Sequence, residues 1–162
     1  MHDRQRSVLG DAIDGAIAGL VSTWAMGKVT TFLYEREDEG AREREDEARG
    51  GTSAYGVAAQ KGARIIGLEL SDDQQKKYGS GVHWALGIGM GALYGVLRSR
   101  VPNADLARGL AFGTAFFLAV DEVGNTALGL TPGPTQFPWQ AHARGLAGHL
   151  AYGAVADTVV RL

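Results

Sequence analysis

The sequence predicts an all-α fold: a four-helix transmembrane bundle with an extramembrane helical insertion between helices one and two. Three observations predict it. Charge is segregated, since twelve of the fifteen residues from 35 to 49 are charged whereas residues 79–97 carry none. Uncharged, mostly apolar runs of about 18 or more residues have the length a hydrocarbon core demands. Small residues also recur at four-residue spacing inside those runs, which lets helices approach closely where lipid supplies no hydrophobic drive for helix association.

Whole-chain averages conceal this pattern. The mean hydropathy of −0.08 reads as soluble, and 162 residues are the length of one domain. A net charge of −2 and a pI near 6.1 leave no basic surplus for a nucleic-acid partner. With no cysteine, neither disulfides nor thiolate metal sites are available.

Taken in order, the expected spans are residues 12–34, 79–97, 109–130 and 143–162, forming a single membrane domain over 1–162. Span one contains Asp14 and Lys28, span three Asp121 and Glu122, and span four His149 and Asp157. Gly15 and Gly19, then Gly87, Gly91 and Gly95, then Gly109 and Gly113 form the packing stripes. In water each helical glycine costs about 1 kcal/mol, so this glycine content argues against a soluble helical protein.

Residues 35–78 form the expected charged insertion. Alternating signs at helical spacings in "EREDEGAREREDEARGG" predict a solvated helical extension that stops at the paired glycines. An amphipathic helix follows, with Thr52 or Ser53 as N-cap, and Ser71 is the expected N-cap of the next. No cleavable signal peptide is expected, because Arg4 and Arg6 precede a first span without a cleavage site.

The loop of residues 98–108 has three arginines against Asp105, while residues 131–142 contain no Lys or Arg. Short basic loops face the cytoplasm, so both termini are expected there, with Arg4, Arg6 and Arg161 on the same side. A rise of about 1.5 Å per residue then sets the depth of each polar group. Lys28, His83, Asp121, Glu122 and His149 fall in the half of the bilayer away from the termini, and Asp14 and Asp157 in the other half. Lys28 is expected to meet Asp121 or Glu122, and the second carboxylate His149, His83 or water. Two readings stand side by side: an interhelical polar staple, and a protonatable or cation-binding cavity.

Metal binding is open on these residues alone. His83, His149 and a carboxylate of span three form one candidate set. His142 and His149, seven residues apart, are separated by about 10 Å along a helix and do not share an ion. There is no HExxH, ExxH or GxSxG, so no enzyme and no cofactor are expected. "GIGMGALYG" follows no strand and reads as packing, not as a phosphate cradle. Pro132, Pro134 and Pro138 stiffen the last loop, and Phe137 and Trp139 suit the headgroup level; a re-entrant lid is the alternative.

The order GLTP (129–132), FPW (137–139) and GHL (148–150) resembles the C-terminal part of the YagU-like bacterial inner-membrane proteins. "AIAGLVSTWAMGK" and "VHWALGIGMGALYG" are similar to that family as well. The resemblance implies a multi-pass protein of the bacterial inner (cytoplasmic) membrane and supplies no catalytic residues. The expected partners are the lipid bilayer and either a second copy or another membrane protein. The expected function is that of an accessory or structural subunit, or a self-associating bundle. The alternative is a proton, cation or small-solute channel or transporter using the polar cluster.

Overall fold

The computed structural model describes residues 7–162; Arg4 and Arg6, which enter the orientation argument, lie outside them. The described residues are helical, with turns between and no strand. The elements are α1 (Val8–Tyr34), α2 (Glu39–Arg49), α3 (Ala54–Ile65), α4 (Asp72–Arg100), α5 (Leu110–Phe117), a π-helical segment (Leu118–Gly124), α6 (Asn125–Ala127) and α7 (Trp139–Val160).

Side-chain caps fix where the first four helices begin. Ser7, Asp38 and Ser53 accept from the amides of Gly10, Ala41 and Gly56, and Ser71 forms a reciprocal capping box with Gln74. Two of these caps, Ser53 and Ser71, are the expected ones. The charged run is not an extension of α1, however. Asp38 caps a separate helix, and Gly50, in the left-handed region at φ 61°, ends it.

Packing follows the glycine stripes. On α1 and α4, Gly15 and Gly19 face Gly87, Gly91 and Gly95 so closely that the backbones touch. A Cβ on Gly19 would lie 2.6 Å from the Gly87 carbonyl oxygen and 3.0 Å from the Gly91 Cα. Gly109 and Gly113 meet Gly153 and His149 of α7 in the same way. Asp11 of α1 hydrogen-bonds Ser99 of α4, which makes the pair antiparallel. α7 runs antiparallel to both α1 and α5. Its Gly148 lies against Met26 and Thr30, and it reaches α4 through Tyr94–Asp157 and Tyr152–Gly87 hydrogen bonds. Ala18, Met26, Tyr94, Phe116, Tyr152 and Ala156 form the buried core.

Two helices, α1 and α4, are long and apolar enough to cross a membrane. The other two expected spans do not reach that standard. The third is helical only to Ala127 and carries Asp121 and Glu122 in its π segment, while α7 contains Arg144, His142, His149 and Asp157. The insertion folds back onto the bundle: α3 lies along the first half of α4, where Gly56 contacts Gly79.

Candidate functional site

Charged residues gather at the two ends of the bundle, and the buried middle of α1 holds only the hydroxyls of Ser22 and Thr23 as polar side chains. At the end holding the start of α1, Asp157 accepts from Tyr94 (2.7 Å), Arg98 (3.1 Å) and Arg161 (2.7 Å), and Arg161 also reaches Asp105. Asp11 accepts from Ser99 and Arg100 beside it. Asp14, half-buried, belongs to the same end of α1. Asp157 and Asp11 are thus matched to hydroxyls and arginines, as buried carboxylates require.

The opposite end contains a cavity of about 300 Å³ between α1, α3, α4, the π segment and the proline-rich loop. Its wall includes His83, Asp121, Glu122 and His142, together with Tyr55, Asn125 and Arg144. The π segment positions the two carboxylates. A π turn adds a residue and turns the following side chains around the axis, and such turns concentrate at functional sites. Gly124 completes it, since a Cβ there would fall 2.7 Å from the Ala119 carbonyl oxygen.

The two acids take different histidines. Glu122 lies 2.6 Å from His142 Nδ1, and the other ring nitrogen of His142 is 3.0 Å from the Pro134 carbonyl. A carbonyl only accepts, so Nε2 carries a hydrogen and donates to Pro134. One further proton lies between Nδ1 and Glu122, and the pair is neutral overall on whichever atom it resides. His149 Nδ1 donates to the Gly145 carbonyl at 2.9 Å, and Asp121 approaches it no closer than 3.7 Å. The Asp121 carboxylate makes no hydrogen bond among the described residues.

A buried charge network closes the cavity from α2. Arg144 donates to both oxygens of Glu37 and both of Glu45, Arg49 donates to Glu45, and the Arg144 guanidinium lies 4.9 Å from the Tyr34 ring centre. Burial pushes the Glu45 carboxyl up, but hydrogen bonds from Arg144 and the charges of Arg49 and Arg144 outweigh it and hold it below the usual glutamate value. At Tyr55 the charge of Arg49 acts in the same lowering direction but is outweighed. Burial, reinforced by the negative charge of Asp121, drives its phenol above the ordinary tyrosine value.

No family model, curated protein or solved structure matches this chain. Geometry and chemistry therefore carry the functional argument.

Of the expected cluster, Asp121, Glu122 and His83 line the cavity, His149 lies buried behind Asp121, and Lys28 is elsewhere. Lys28 is exposed on the outside of α1 with its ammonium 5.8 Å from the Trp24 ring centre, so the expected pairing with Asp121 or Glu122 is corrected. Among the described residues no three His, Asp or Glu side chains converge as a metal-binding group. The buried residues Arg144 and Glu45 were absent from the expected cluster, as were Tyr55 and Asp11. Arg144 had a signal, being a lone basic residue at the start of a helix whose loop has no other. Glu45 had none, because nothing distinguishes it from the neighbouring acids of its run.

Below the cavity the polar lining stops. Phe116 packs edge-on to His149 (4.7 Å between centres) and to Tyr152 (5.3 Å), and Phe112 continues the stack to Tyr94. This aromatic layer separates the cavity from the Asp157 cluster.

Proposed function

We propose that the chain is a four-span protein of the bacterial inner membrane with cytoplasmic termini, acting as an accessory or structural subunit and not as a conduit. One observation carries the membrane part. Leu9, Ile13, Ile17, Leu20 and Trp24 form a continuous apolar stripe along the outside of α1, with Leu9 69% and Trp24 58% exposed, and Phe32 follows beyond Lys28. Soluble monomers rarely leave contiguous apolar patches beyond a few hundred Å² in water, whereas lipid covers such a stripe without cost. Lys28 and Arg36 sit beside Trp24 and Phe32 toward the far end of that stripe, as cations that reach the headgroups do. Arg98, Arg100 and Arg161 cluster at the opposite end, in keeping with a cytoplasmic face there.

The aromatic layer supports the non-conducting reading. A channel or pump needs polar groups or water throughout its path, and Phe112, Phe116 and Tyr152 interrupt it. Two measurements test the proposal. The protein should remain in the membrane pellet after carbonate washing. In proteoliposomes, proton and potassium gradients should decay no faster than in empty vesicles. Recovery as a detergent-free soluble monomer contradicts the membrane reading. A flux above background that Glu122→Gln abolishes contradicts the accessory reading in favour of transport.

A further inference from the structure

We propose that the cavity at the π segment is a binding site for a small organic monocation bearing a primary ammonium group. The inference rests on the cavity's own geometry and goes beyond the membrane reading.

Charge comes first. Arg49 and Arg144 are balanced by Glu37 and Glu45, and Glu122 with His142 is neutral as a pair. Among the described residues Asp121 is left as the carboxylate on the cavity wall with no side-chain hydrogen bond: His149 Nδ1 stands 3.7 Å away, and Arg49 on the same wall reaches it through its charge alone. A carboxylate in a low-dielectric pocket is stabilised by a counter-charge, and one monovalent cation supplies it.

The second observation is independent of charge. Asn125 is buried, lines the same cavity, and its side-chain amide has no hydrogen-bond partner among the described residues. The Tyr55 hydroxyl and the His83 ring nitrogens also line the cavity and make no hydrogen bond there; His83 only stacks against the Tyr55 ring at 4.8 Å. Asn125 is the buried one of these groups, and Asp121, Tyr55 and His83 are partly exposed to the same space, so a buried amide and a carboxylate from α6 and the π segment, with groups from α3 and α4 beside them, mark a place for a guest. An ammonium offers three donors, which suits the Asp121 carboxylate, the Asn125 carbonyl and the Tyr55 oxygen.

The wall and the size narrow the class. Tyr55, Phe117 and Phe137 present rings that attract a cation and accept an alkyl stem. At about 300 Å³ the cavity is at the small end of ligand sites, which suits an aminoalcohol or short alkylamine. The same ammonium can come from a free amine or from the headgroup of an ethanolamine lipid.

The test uses the full chain in phosphatidylglycerol nanodiscs, which hold no amine lipid, with ethanolamine titrated by calorimetry. Saturable binding of one ethanolamine per chain is expected, with no binding of acetate or ethylene glycol. Asp121→Asn should weaken it roughly tenfold or more, the scale of losing a charge-assisted hydrogen bond. Asn125→Leu and Tyr55→Phe, read separately, cover the case in which Asp121→Asn does not assemble, and each should weaken binding. Repeating the titration in phosphatidylethanolamine nanodiscs separates the sources. Unchanged affinity assigns the site to a free amine, and loss of ethanolamine binding by competition assigns it to the lipid headgroup. Absence of saturable binding in phosphatidylglycerol discs overturns the proposal. So does equal binding by wild type and every assembled variant, or equal affinity for ethylene glycol.

Discussion

Arg144, in the second turn of α7, donates to both carboxylate oxygens of Glu45 on α2, at 2.6 and 2.5 Å and 99 residues away in sequence. Glu45 is 2% exposed, so this is a buried ion pair that ties the charged insertion to the bundle. Removing one partner of such a pair costs about 3–5 kcal/mol, because the other charge is left buried and unmatched. Arg144→Met should therefore lower the unfolding midpoint in detergent, with Glu45→Gln doing the same. The double variant should lose less than the sum of the two single losses. Additive losses would show that the two side chains do not interact.

The same pair sets a pH dependence. The folded Glu45 carboxyl titrates below its ordinary value, so it contributes stability above that value and loses it as pH falls through the depressed folded one. Acid unfolding of the wild type should be steeper between the ordinary glutamate pKa and the folded one than that of Glu45→Gln. Parallel pH profiles would remove Glu45 from the account.

Glycine substitutions should divide by face. A Cβ on Gly91 would meet the Gly15 carbonyl and the Gly19 Cα, so Gly91→Ala should push α1 and α4 apart at a cost of about 1–3 kcal/mol. Gly89, two residues earlier on α4, has open space around it, and Gly89→Ala should be neutral or stabilise by up to about 1 kcal/mol. Detergent unfolding of the two variants checks the contrast in sign.

Lys28→Gln should leave the unfolding midpoint nearly unchanged, since Lys28 contacts only the exposed Trp24 ring in the structure. A loss comparable to that of Arg144→Met would restore the pairing with Asp121 or Glu122.

Lys28 also shows what the sequence made legible. Rise per residue set its expected depth at the level of the carboxylates, but depth says nothing about direction around the helix. At 100° per residue Lys28 lies about 220° from Gly15, on the side away from the glycine seam, and Trp24 lies about 180° from it. The seam itself, the Ser53 and Ser71 caps, and the gathering of Asp121, Glu122, His83 and His149 followed from spacing and local chemistry. The π segment did not. An inserted residue in a helix leaves no periodic mark in a run as short as "LAVDEVG", which carries both Asp121 and Glu122. Glu45 was hidden for a different reason: only the return of α2 onto α7, a tertiary event, separates it from Glu43 and Glu47.

The chain's lack of cysteine permits the measurement that tests the central claim most directly, labelling of single introduced thiols by a membrane-impermeant maleimide in intact and permeabilised cells. Thr135→Cys, exposed in the loop at the cavity end, should label in cells whose outer membrane alone is opened. Leu106→Cys, exposed at the end that carries Arg98 and Arg161, should label only once the inner membrane is breached. Ile17→Cys, on the outer stripe of α1, should stay unlabelled until the protein is denatured, although its side chain is uncovered by protein. Rapid labelling of Ile17→Cys in the native protein, or equal access to all three positions without permeabilisation, would contradict a bundle that crosses the membrane.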